Sequence, residues 1–244
     1  PAPDAFTDEP VPLLERFTEV FALGYRRHLD LAAAEARARE AEIETALERV
    51  RTAVAGMSSS GDLHELMVSV YESLQELGVP CAGFGINDVD EARGLVTLRS
   101  VGGRDEENRL TDWELVDPDW VDHFRNSSTH SRLMTSDDLR HRLQRLVEAG
   151  RFTAEDVDSL HAKNEFARTG AAWVVDAFFE HGGLAMRKPG PDPFTDEHIA
   201  LLERFTEVFA LGYRRYLDLM AAEERARQAE MSRAHQHVRT VVSS

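Results

Sequence analysis

One cysteine, two lysines and no run of 18 apolar residues occur in the 244 positions of this chain. A lone thiol, Cys81, excludes an internal disulfide and suits a reducing compartment, so a cytoplasmic location is expected. The missing apolar run and the lack of a signal-peptide start argue against direct membrane contact by this segment. Lysine is confined to Lys163 and Lys188, and Asp and Glu outnumber all basic residues 44 to 28. The resulting net charge of −16 opposes attraction to phosphate backbones and anionic lipids, and no nucleic-acid partner is expected. Such an acidic surface with arginine in place of lysine fits a high-salt or GC-rich source, where screening removes the self-repulsion.

The chain does contain a long internal repeat. Residues 3–42 and 191–230 are identical at 32 of 40 positions without a gap, at a constant offset of 188. That offset exceeds the ~20–50 residues of solenoid units, so the repeated unit is a whole domain with its connector. The chain is expected to hold the tail of one module (1–60, including a connector helix), one complete module (61–190), and the last helix of that module running into a second connector (191–244).

Thr7, Asp8, Glu9 and Pro10 form a helix start, with a hydroxyl cap, acids in the first turn and a proline where its missing N–H costs nothing. Leu14, Phe17, Phe21 and Leu31, and then Ile43 and Val50, fall on stripes spaced three and four apart. The spacing predicts one helix of about 50 residues, roughly 75 Å long. Leu202, Phe205, Phe209, Leu219, Met231 and Val238 repeat the pattern. Arg39, Glu224 and Arg227 at seam positions predict an adjustable coiled coil. Leu63 to Leu77 read as an amphipathic helix closed by Gly78. Residues 81–88, 94–101 and 110–116 read as an antiparallel meander, residues 118–168 as mostly helical with starts at Pro118, Ser136 and Thr153, and residues 173–180 with 184–188 as a hairpin around His181-Gly182-Gly183.

The order of helix, strands, helical insertion, closing hairpin and then Phe194-Thr195-Asp196-Glu197 leading into Leu201-Leu202-Glu203-Arg204-Phe205 resembles the GAF domain family over about residues 61–215. The fold class expected is therefore α+β, a GAF-like antiparallel sheet with helices on both faces and long flanking helices. The resemblance implies a non-enzymatic sensor module of a multidomain signalling protein such as a histidine kinase, in which a small molecule binds between sheet and helical lid. Segments 32–57 and 220–244 look like the signalling helices joining such domains to their outputs. A ligand-free spacer that serves dimerisation and helix register is the alternative. Either way, a parallel homodimer through the N- and C-terminal helices is expected, because it buries both copies of the repeated face.

Trp113, Trp120, His123, Phe124, Arg132 and Trp173 are the candidates for a ligand pocket, as aromatic and polar residues on the strands and lid. No cofactor is expected. The Asn-Lys phrase that accompanies cyclic-nucleotide binding in some GAF domains is reversed here as Lys163-Asn164, and Cys81, followed by Ala82, reads as a buried packing residue rather than a bilin attachment site. No metal is expected either, since His123, His130 and His141 show no tight ligand spacing. His235 and His237 lose any claim to phosphotransfer because the first copy has Leu47 and Arg49 there. No catalytic nucleophile or carboxylate pair stands out from a 30% charged background.

Overall fold

The computed structural model describes residues 10–101, 109–114, 118–148, 150, 153–155 and 169–242. The chain divides into two compact units, one ending at Ala46 and the other starting at Leu47. Helix α1 (Pro10–Gly56) supplies the described part of the first unit and the start of the second. The Thr7 cap lies outside the described residues. In the first unit Leu13, Leu14, Phe17, Val20 and Phe21 are exposed, and Phe21 stacks on Tyr25 with ring centroids 6.2 Å apart.

In the second unit the chain breaks after Gly56 and restarts at a capping box. Asp62 accepts hydrogen bonds from the Ser58 N–H (2.6 Å), the Ser59 N–H (2.9 Å) and the Ser59 hydroxyl (2.9 Å). These bonds hold its carboxyl down at about 2. Helix α2 (Leu63–Glu76) follows, burying Leu63, Leu66, Met67, Val70 and Leu74 on one stripe. It stops at Gly78, whose φ of 83° lets Val79 N–H reach back to Leu74 O.

Strands β1 (Gly83–Asp90), β2 (Leu95–Val101), β3 (Arg109–Glu114), β4 (His130–Thr135), β5 (Ala171–Phe179) and β6 (Gly182–Pro189) make one antiparallel sheet among the described residues, in the order β3-β2-β1-β6-β5-β4. The β5–β6 turn contains only Glu180 and His181, as Phe179 pairs with Gly182. Glycine is required there, since a Cβ on Gly182 would lie 2.0 Å from the Asn87 carbonyl oxygen.

Between helices α3 (Pro118–Arg125) and α4 (Ser136–Glu148) the expectation of helix fails, because β4 intervenes. His130-Ser131-Arg132-Leu133-Met134-Thr135 alternates across the edge of the sheet, each residue paired with one of β5. Helices α3 and α4 begin at Pro118 and Ser136 as the sequence predicts. Thr153 starts a helical turn, and residues 156–168 are outside the described set.

The final helix, α5 (Asp196–Val242), repeats the sequence of α1 but in a different environment. Leu201, Leu202, Phe205, Val208, Phe209, Tyr213 and Tyr216 are buried. Phe179 of β5 meets Phe209 and Tyr213 edge-on, with centroids 5.9 and 5.4 Å apart. Beyond Leu219 the helix becomes predominantly exposed.

Candidate functional site

The period of two along β5 separates two faces. Val175, Ala177 and Phe179 face α2 and α5, whereas Asp176 and Phe178 lie on the opposite face with α3. Strand pairing then gathers polar groups on the α3 side. His130 is directly across from Asp176, Arg132 from Val174, and Val174 from Arg187 on β6. Asn87 of β1 donates from Nδ2 to Asp176 Oδ1 at 2.7 Å. Asp176 is 1% exposed, and its Oδ2 has no hydrogen-bond partner among the described residues.

Above this polar strip sits a short helix with two working stripes. Proline at its first position, Asp119 in the first turn and His123 with Arg125 in the last turn all suit the helix dipole. One stripe, Trp120 and Phe124, is buried with centroids 6.1 Å apart and packs edge-on to Phe178 at 4.8 and 5.9 Å. Val96 completes this cluster. The neighbouring stripe, Asp119 and His123, one turn apart, faces β4. Asp119 Oδ2 lies 3.1 Å from His130 Nε2, and the His123 and His130 rings are 4.7 Å apart. Arg125 anchors the helix end to Glu91 at 2.9 Å.

The turn after α3 also sets one imidazole. Ser127 takes a left-handed φ of 49°, which places the Ser128 hydroxyl 2.8 Å from His123 Nδ1. His130 is nearly buried, with Nδ1 unpartnered among the described residues. Burial, reinforced by Arg132 and His123, pushes its pKa below the usual histidine value, against the opposing pull of Asp176 and Asp119. The imidazole is therefore mostly neutral at pH 7. Burial likewise lowers the Arg187 guanidinium, with Asp176 opposing and Arg132 adding to the shift.

Of the sequence candidates, Trp120, His123, Phe124 and Arg132 come together on this side of the sheet. Trp173 does not. Its odd position on β5 puts it on the opposite face, where its Nε1 donates to the Pro191 carbonyl. Trp113 is in β3, and its side chain is outside the described residues. Asn87, Asp119, Asp176 and Arg187 are missed by sequence reasoning, and the spacing of His130 gives no sign of its partners. The available signal was an acid, Asp176, in the otherwise apolar run Ala171-Ala172-Trp173-Val174-Val175-Asp176-Ala177-Phe178-Phe179. Among the helix candidates Leu14, Phe17, Phe21, Leu31 and Met231 are exposed and Ile43 and Val50 are buried. Leu202, Phe205 and Phe209 are buried, Leu219 is half-buried, and the Val238 side chain is outside the described residues. A separate groove of about 290 Å³ lies between the end of α1 and α5, lined by Arg51, Val54, Ala55, Val208, Leu211 and Arg215. It is away from the polar strip. Cys81 is buried, and burial raises its thiol to about 11, which does not suit covalent attachment of a chromophore.

The antiparallel sheet in this order, with β4 at its edge, carries α3 on one face and α2 and α5 on the other, an α+β architecture with long flanking helices. No family model and no curated protein sequence matches the chain. Solved structures similar to it include the GAF domain of an Acinetobacter phosphoenolpyruvate-protein phosphotransferase, at 12% identity over 70% of this chain and 93% of that one, with a TM-score of 0.41. The corresponding domain from Coxiella burnetii is 13% identical over 77% and 97%, with a TM-score of 0.44. The GAF domain of the cyanobacteriochrome TePixJ is 15% identical over 68% and 96%, with a TM-score of 0.39. Among the described residues no helix is long and apolar enough to cross a membrane.

Proposed function

We propose that this chain is a non-enzymatic sensor and relay segment of a cytoplasmic tandem-domain signalling protein, with an output such as a histidine kinase. The observation that carries this reading is α5. Its first half, Leu201 to Tyr216, is locked in the core of the sheet, and the same unbroken helix continues as a mostly exposed connector to Val242. A shift of the sheet or its α3 lid would be delivered to the connector as a small rotation or slide, which packed helices undergo between discrete arrangements. The polar strip of Asn87, His130, Arg132, Asp176 and Arg187 under an aromatic lid suits a small polar ligand. Residues 61–190 form the proposed sensor module.

The first copy of the repeat belongs in the same scheme. Leu13, Leu14, Phe17, Val20 and Phe21 are exposed, while their counterparts Leu201, Leu202, Phe205, Val208 and Phe209 are buried. Residues 10–31 are proposed as the closing helix of a second module of the same kind, with the exposed connectors pairing in a homodimer. Light scattering gives the first test, with a mass twice that of the monomer expected at tens of micromolar, and a monomer refuting the dimer. Thermal-shift screening of nucleotides and aromatic metabolites gives the second. A ligand at a hundred times its Kd adds about 2.7 kcal/mol of stability. No shift with any compound would favour the ligand-free spacer, a reading to which the packed Trp120–Phe124–Phe178 cluster lends support.

A further inference from the structure

We infer that Asp119, His123 and His130 form a binding site for a divalent transition-metal ion, which ties the lid helix α3 to the edge strand β4. One ligand atom from each of the three residues lies within 4.8 Å of the others. The 3.1 Å between Asp119 Oδ2 and His130 Nε2 is close to the edge of a tetrahedron with metal–ligand bonds of about 2.0–2.1 Å. Two imidazoles and one carboxylate are a donor set for zinc or ferrous iron, leaving a coordination position for water or a small ligand.

Two further features point the same way. The Ser128 hydroxyl takes up His123 Nδ1 while also donating to the His123 carbonyl oxygen, so Nε2 is the nitrogen left with a lone pair to give. At His130, Nε2 faces Asp119, and among the described residues its buried Nδ1 is unpartnered, as is Oδ2 of Asp176 directly across the β4–β5 ladder. These two atoms therefore stand at paired positions of the ladder. A buried carboxylate that holds Nδ1–H fixes the tautomer that presents Nε2 to a metal. The Asp176 carboxylate offsets the guanidinium of Arg187 on the same face.

This assignment stands whether or not the chain relays a signal. It is tested with Zn²⁺ and Co²⁺ on the full chain, free of any affinity tag. Calorimetry is expected to give one Zn²⁺ per chain, and Co²⁺ to give visible ligand-field bands that Zn²⁺ abolishes. His123→Ala and Asp119→Asn, both at accessible positions, each weaken binding by more than about tenfold, since even outer-shell partners are worth that much. Asp176→Asn weakens binding without changing the stoichiometry. His141→Ala, on the exposed side of α4, leaves it unchanged. His130→Ala is informative only where circular dichroism matches the parent, and the two accessible variants carry the test otherwise. The inference is overturned if Zn²⁺ up to about 100 μM does not bind, or if His123→Ala and Asp119→Asn bind it as the parent does.

Discussion

Gly24 and Gly212 occupy the same position in the phrase Leu-Leu-Glu-Arg-Phe-Thr-Glu-Val-Phe-Ala-Leu-Gly-Tyr-Arg-Arg, so replacing each by alanine is a controlled comparison of environment at constant local sequence. In a helix interior the change to alanine gains about 1 kcal/mol of propensity, and this applies to both sites. A Cβ on Gly24 meets nothing within 4 Å. On Gly212 it would lie 2.5 Å from Leu66 Cδ2 and 2.8 Å from Val54 Cγ2, where 3.4–4 Å is ordinary contact. Leu66 is 1% exposed and has little room to retreat. Overpacking of this kind costs about 1–3 kcal/mol, so G212A is expected to be less stable than G24A by about that amount. Urea unfolding followed at 222 nm measures both. Equal midpoints, or a higher midpoint for G212A, would refute the argument that Gly212 is packed against Leu66 and Val54.

Three other outcomes follow from the same structure. Phe205→Ala removes a fully buried ring and should cost about 3–5 kcal/mol by tryptophan fluorescence, against a few tenths for Phe17→Ala, whose ring is 65% exposed. Asp62 should titrate by NMR with a midpoint near 2, and because its folded pKa lies below the unfolded value of 3.8, its stabilising effect is present above pH 3.8 and is lost as pH falls through 2. Asp62→Asn should therefore flatten the stability profile within that window. Cys81, with its thiol raised to about 11, should resist a disulfide reagent at pH 8 until denaturant is added, and rapid labelling of the native chain would contradict its burial.

Much of the fold is legible locally. The stripe of Leu63, Leu66, Met67, Val70 and Leu74, the Gly78 stop and the closing hairpin each rest on neighbours a few residues away, where periodicity and turn chemistry decide the outcome. β4 is not legible in that way. His130 to Thr135 is short and polar, and its strand state depends on backbone partners about 40 residues later in β5. The cluster of Asp119, His123 and His130 was hidden for the same reason, since its spacing of four and seven residues crosses the turn at Ser127 from a helix onto a strand. Trp173 erred in the other direction, because composition marks an aromatic residue without saying which face the period of two assigns it.

The sequence by itself determined that a 40-residue phrase recurs at an offset of 188, that no internal disulfide can brace the chain, and that its net charge is −16. These are properties of spacing and composition, which need no partner to be true. Only the tertiary structure decided that Phe205 is covered while Phe17 is bare, and that Asp119 of the α3 lid meets His130, which pairs with Asp176. Burial and coordination depend on what lies across space from a residue. Two identical phrases in different surroundings therefore acquire different energetics from the same chemistry.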